Sequence, residues 1–318
     1  MRNAVRQLTV LLSLFFGLLA PSLAANPSDT VVGVLASTPA QFALLQRLSR
    51  AVDHENGLRI LPMAGKGPVT TLSDLLELKG IDAALVSSDA MSFMSRNGLA
   101  TDLESKITLI VRLSALDVHV IARQGINRLS DLTGKTVMAG PTSSDSYVAG
   151  YFLFSASGIA AKLVEANVAD SIRAVAGGSA DAAVLVGRKP MPELASLTVD
   201  NGIHLLPVTT PGGLEDTYAP SLITKDDYPK LVAAEQPVET ISASLVIAAF
   251  NWKRGSPQYA KLRRLAEQLF TALQPGGSSD ASLNLAASVP GWTRHPSAED
   301  ALASHAKRLQ TVTESNSE

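Results

Sequence analysis

The sequence predicts an α/β protein built as two similar lobes with a cleft between them. Three observations predict it. Short apolar runs alternate with segments of helical spacing, a rhythm that calls for parallel sheets covered by helices. The run Asp82-Ala-Ala-Leu-Val86 is nearly copied at Asp181-Ala-Ala-Val-Leu-Val186. The polar loops Ser37-Thr38-Pro39 and Pro141-Thr142-Ser143 stand almost the same distance apart as those two runs.

The elements follow in order. Arg2 and Arg6 precede the apolar run Leu8–Ala20, and Ser22-Leu23-Ala24 offers small residues for cleavage. Residues 1–25 therefore read as an export signal that is too short to span a bilayer comfortably. Val31–Leu35 reads as a buried strand. Thr38, Pro39 and Gln41 then fit a helix start, with Thr38 as cap and Gln41 completing a capping box. Phe42, Leu45, Leu48 and Val52 keep helical spacing to about Gly57. Strand Leu58–Met63, a turn at Gly65–Pro68, a helix carrying Leu72, Leu75 and Leu76, and strand Ala83–Val86 complete the first rhythm.

Ile107–Leu113 and Val118–Ala122 read as two extended segments joined at Ser114–Asp117. The rhythm restarts at strand Thr136–Ala139, with a helix opening at Ser144 or Asp145 and closing near Gly158. A weaker helix after Asp170, strand Ala182–Val186 and strand Ile203–Val208 follow. Ala219–Pro237 reads as irregular. Ile241–Phe250 is strongly apolar and extended, and Tyr259–Leu273 is an amphipathic helix stopped by Pro275-Gly276-Gly277. The tail from about Gln310 is polar. The expected organisation is lobe one over residues 26–116, lobe two over 117–242, and a return to lobe one over 243–318. Two chain crossings would make a hinge.

Composition narrows the chemistry. The chain has 27 Lys and Arg against 29 Asp and Glu, and loss of Arg2 and Arg6 with the leader takes the formal charge from −2 to −4. That is no nucleic-acid footprint. Cysteine is absent, so stability must come from the core, which a chain of this length can build. An exported, cysteine-free protein of this size fits a bacterial periplasm. No thiolate chemistry or zinc–cysteine site is possible. His54, His119, His204, His295 and His305 lack metal-ligand spacing, and no G-x-S-x-G elbow occurs. Gly134-Lys135-Thr136 imitates the end of a phosphate loop, but Leu129 stands where its first glycine belongs. It reads as a turn. His119 reads as a structural histidine in an apolar strand. No enzyme signature, cofactor site or metal site is expected.

The polar loop Thr142–Tyr147 is the best candidate for ligand contact. Capping one helix needs a single such residue, and this loop holds Thr142, Ser143, Ser144, Asp145 and Ser146. Backbone N–H groups and hydroxyls at a helix N-terminus favour an anionic or strongly polar group. Lys66 sits in a glycine turn at a strand end. Asp89 follows a strand and fits a helix cap as well as a ligand contact. Arg188 lies just after the second copy of the strand motif.

The sequence resembles the TAXI family of solute-binding proteins, which serve TRAP-type transporters. The resemblance rests on Val118-His-Val-Ile-Ala-Arg123, Gly125-Ile126, Asp131-Leu-Thr-Gly-Lys-Thr-Val137 and the Gly140–Ser146 loop. It continues through Asp181–Gly187 with Pro190 and Pro192, Ile203-His-Leu-Leu-Pro207, Tyr218-Ala-Pro220, Ile223 and Tyr228, and touches the first lobe at Gly80–Asp89. The chain departs from the family at three places. Ala36-Ser37-Thr38-Pro39 replaces a glycine-rich loop, Ser143-Ser144-Asp145-Ser146 replaces Gly-Ser-Gly-Thr, and Ser114 replaces a tyrosine.

The resemblance implies a type 2 periplasmic-binding-protein fold, with two α/β lobes, a central cleft and a two-strand hinge. It implies capture of a small polar or anionic solute and delivery to a membrane transporter subunit by a monomer. The added Asp145 would repel a ligand carboxylate or hold an ammonium group. The expected contacts are Ser37, Thr38, Lys66, Ser88, Asp89, Thr142, Ser143, Ser144, Asp145, Tyr147 and Arg188. A sensor or accessory protein that presents its ligand state to a membrane receptor is the alternative use of the same design.

Overall fold

The computed structural model describes residues 30–52, 57–198, 202–273 and 284–315. The expected leader lies outside them, as does the Pro275-Gly276-Gly277 stop.

The first half opens with β1 (Thr30–Ala36), α1 (Pro39–Val52), β2 (Leu58–Ala64), α2 (Pro68–Glu77), β3 (Ala83–Ser87), α3 (Asp89–Arg96) and α4 (Leu103–Lys106). β1 pairs in parallel with both β2 and β3. β4 (Ile107–Arg123) follows as one uninterrupted strand of 17 residues. Sequence reading divides it at Ser114–Asp117, where polar residues interrupt the apolar run. Pairing carries the strand through: Ser114 lies opposite Leu245 and Asp117 opposite Ser242.

The second half holds a short 3₁₀ turn (Leu129–Leu132), β5 (Thr136–Ala139), α5 (Asp145–Ala156), β6 (Lys162–Glu165), α6 (Val168–Ala176), β7 (Ala182–Gly187), α7 (Pro192–Ala195) and β8 (Ile203–Leu205). β9 (Ala219–Ile223) lies in the stretch that reads as irregular. It forms by antiparallel pairing with the start of β10 (Val238–Phe250). α8 (Pro257–Ala272) and α9 (Pro296–Ser315) close the chain, and the polar tail thus remains helical to Ser315.

Ten strands among the described residues form one hydrogen-bonded sheet in the order β2-β1-β3-β10-β4-β7-β5-β6, with β8 on β4 and β9 on β10. Read from the centre outward, β10-β3-β1-β2 mirrors β4-β7-β5-β6. The outer three strands of each wing are parallel, and the long strands β10 and β4 run antiparallel to them. Within the sheet only these long strands join the wings. β10 gives Leu245–Ala249 to β3 and Val238–Ser242 to β9, while β4 gives Asp117–Ala122 to β7. The ladder between β4 and β10 shifts register at Leu245/Val246 and at Ile247/Ala248. Continuity of hydrogen bonding thus coexists with two lobes, because two strands run through both.

Each wing has its own core. Val34, Leu45, Leu85, Ile247 and Phe270 meet on one side, and Val120, Val137, Phe152 and Val184 on the other. The repeated Asp-Ala-Ala run does the same work in both wings. Asp82 accepts from Gly33 N at 2.8 Å, and Asp181 accepts from Thr136 N at 3.0 Å. Each acid ties the start of one strand to its neighbour, and each is held by a cation, Lys261 or Arg123.

Candidate functional site

In open α/β sheets, ligands bind beyond the carboxyl ends of parallel strands, where helices begin. Those ends bring β3–α3 from the first wing and β5–α5 from the second to the junction. Both connections carry the tripeptide Ser-Ser-Asp, at 87–89 and at 143–145. Asp89 and Asp145 are the first residues of α3 and α5, with Ser88 and Ser144 as the N-caps. An acidic group in the first helical turn is favoured by the helix dipole.

Both carboxylates are buried, at 1% and 6% exposure. Tyr218 donates its hydroxyl to Asp89 Oδ2 at 2.7 Å, and the Gln41 amide lies 3.5 Å from Asp145 Oδ2. The Ser87 hydroxyl is fully buried and faces both acids, favouring their charged forms, although it forms no well-directed hydrogen bond. Burial nevertheless dominates. It raises Asp145 to about 7, helped by repulsion from Asp89, and raises Asp89 as well. The Tyr218 phenol is pushed well above its usual range, first by burial and then by the two acids. Neither carboxylate forms an ion pair among the described residues.

The wings touch around this cluster. Ser143 Oγ donates to the Lys66 carbonyl at 2.8 Å, Tyr151 donates to Asn97 Oδ1 at 3.0 Å, and Arg96 donates to the Gly213 carbonyl at 2.8 Å. Phe93 of α3 packs edge-on against Tyr151 and Phe152 of α5, with centroids 5.1 and 6.0 Å away. This is a closed arrangement.

The expected contacts divide into two groups. Asp89, Asp145, Ser143 and Lys66 stand at the junction, although Lys66 offers its carbonyl there. The remaining side chains are engaged elsewhere. Ser37 Oγ donates to the Leu85 carbonyl, and Ser88 Oγ accepts from Ser244 N. Thr38 and Ser144 cap α1 and α5 by accepting from Gln41 N and Tyr147 N. Thr142 turns outward and bonds Glu165 through both its backbone N–H and its hydroxyl. Tyr147 packs beside the second core, and Arg188 is exposed past β7.

Gln41 Oε1 accepts from Ser37 N, one residue earlier than a capping box requires. Sequence reading gives Gln41 only a capping role and does not pick Ser87 or Tyr218 as contacts. Repetition of Ser-Ser-Asp is the signal that could have found Ser87. Tyr218 arrives from far along the chain with no local signal. His119 is a structural histidine, fully buried, with Nε2 2.9 Å from the Tyr228 hydroxyl. No cluster of three metal-ligating side chains occurs among the described residues.

Residues 55–236 match the family described as NMT1/THI5 like. The chain belongs to that family. Two solved structures show how an NMT1/THI5-like chain of this kind compares. One, described as "Structure of a periplasmic transporter", aligns over 92% of this chain and 99% of its own, with a TM-score of 0.53 at 13% identity. The other is a TctC solute binding protein from Polaromonas, aligned over 88% of this chain and 89% of its own, with a TM-score of 0.49 at 14% identity. At such identity the first of these establishes a likeness of fold.

Proposed function

We propose that this chain is an exported, periplasmic solute-binding protein. It takes a small polar solute of the amino-acid or carboxylate-like class between its wings and delivers it to a membrane transporter. One observation carries the reading. Two helix N-termini with the same Ser-Ser-Asp start converge from opposite wings on a junction that only two long strands span. Such strands can bend without disturbing either core. The NMT1/THI5-like match and the likeness to a periplasmic transporter support this reading. The TAXI resemblance supports a TRAP-type transporter as the partner of a monomeric binding protein. Within the solute class, the two buried acids weigh against a bare anion.

Native mass spectrometry of protein taken directly from its own cells tests this. A small mass increment that disappears on acid unfolding supports the proposal. A bare polypeptide mass, with no shift on incubation with a concentrated cell extract, overturns it.

A further inference from the structure

The two acids occupy the places where helix N-termini would hold an external anion. α3 and α5 each aim their free N–H groups at their own first residue. The Asp89 carboxylate is favoured by the backbone N–H groups of Asp89 and Ala90, and the Asp145 carboxylate by its own. The protein thus places its own carboxyl groups at both seats. What the junction then lacks is a positive charge.

Three oxygens there are buried without a hydrogen-bond partner: Ser87 Oγ, Asp89 Oδ1 and Asp145 Oδ1. A buried polar atom left unpaired costs free energy that a partner would recover. Ser87 stands apart from the acid pair as an observation, because its hydroxyl is fully buried, has no well-directed hydrogen-bond partner and lies against both carboxyl groups. Asp89 Oδ2 and Asp145 Oδ2 already have Tyr218 and Gln41. Three acceptors converging from both wings match the three donors of an ammonium group. The same contacts would draw the wings together, because Ser87 and Asp89 belong to one and Asp145 to the other.

We propose that this junction seats a primary ammonium group of the solute, held by Ser87 Oγ, Asp89 Oδ1 and Asp145 Oδ1. This rests on the solute-binding reading and narrows it to amines and amino acids.

Calorimetry at pH 8 with putrescine, γ-aminobutyrate and succinate tests it, because these share a four-carbon skeleton and differ in terminal charge. An amine-bearing probe is expected to bind and succinate to fail. Asp145→Asn should weaken the amine about ten- to hundredfold, the range of one lost charge-assisted hydrogen bond. Trimethylation of the γ-aminobutyrate nitrogen should weaken it similarly, since that cation has no N–H to donate. Asp145→Asn keeps the shape and removes a buried charge, so it should fold, and its melting curve checks that. Asp89→Asn repeats the test from the other wing.

Succinate binding as tightly as the amines, or amine binding unchanged in both variants, overturns the ammonium seat and leaves the solute-binding reading intact. Binding of none of the probes also overturns the seat, and the native mass spectrum then decides separately whether the protein takes any solute.

Discussion

Replacing Asp145 by Asn should stabilise the ligand-free protein, and the gain should grow with pH. An unfolded aspartate loses its proton near 3.8, whereas the folded Asp145 carboxyl keeps it to about 7. Between those values the native state binds more protons than the unfolded state, so this group makes stability fall as pH rises. The loss accumulates from about pH 4 and approaches its limit above pH 7. At 1.36 kcal/mol per pH unit, it amounts to about 2–3 kcal/mol between pH 5 and pH 8. Gln41, Ser87, Asp89 and Tyr218 face the carboxyl, and none supplies a positive charge. The amide that replaces the carboxyl in the variant has no proton to lose in this range. The assay is urea unfolding of wild type and variant at both pH values, read as their difference so that the histidines cancel. A constant difference, or wild type gaining on the variant toward pH 8, would refute the reasoning.

Other expectations follow from the same contacts. A Cβ added at Gly67 would lie 2.3 Å from the Ser143 carbonyl oxygen, and the backbone there has φ of +85°. Gly67→Ala should therefore hold the wings apart and weaken any solute more than tenfold by calorimetry, with little change in secondary structure by circular dichroism. Burial lowers His119 to about 4 from an ordinary 6.5, so the unfolded state takes its proton first as pH falls. His119→Phe should remove about 2 kcal/mol of the stability lost between pH 7 and pH 5, measured by urea unfolding. Lys189 pairs with the buried Asp117 at 3.2 Å and also donates to Ser221. Lys189→Met strands that carboxylate beside the crossing and should cost about 2–3 kcal/mol in the same assay. Amine affinity should rise from pH 6 to pH 8 as Asp145 ionises, and a flat calorimetric profile would count against the ammonium seat.

Local sequence carries the parts of this fold whose patterns are local. Thr136–Ala139 and the helix opening at Asp145 are legible because an apolar run meets a capping serine. The length of β4 is not legible, because Asp117 breaks the apolar pattern and only Lys189 and Ser221, distant in sequence, make it tolerable there. β9 carries Pro220 and lacks alternation, so pairing with β10 makes it a strand. β6, with four residues, is too short to show a period. Asp89 and Asp145 can be picked out as polar helix starts. That they share one junction depends on how the two wings meet. The hydroxyls of Ser37, Ser88 and Thr142 look equally available in sequence, and tertiary hydrogen bonds divert them.

The most direct test of the central claim is a distance between the wings. The chain has no cysteine, so Arg50→Cys on α1 and Ser179→Cys beyond α6 can carry a specific pair of spin labels. Pulsed electron resonance should show a short distance that becomes dominant when the amine probe is added. In the Gly67→Ala background that short distance should be lost. One fixed distance, indifferent both to every probe and to Gly67→Ala, would contradict the account.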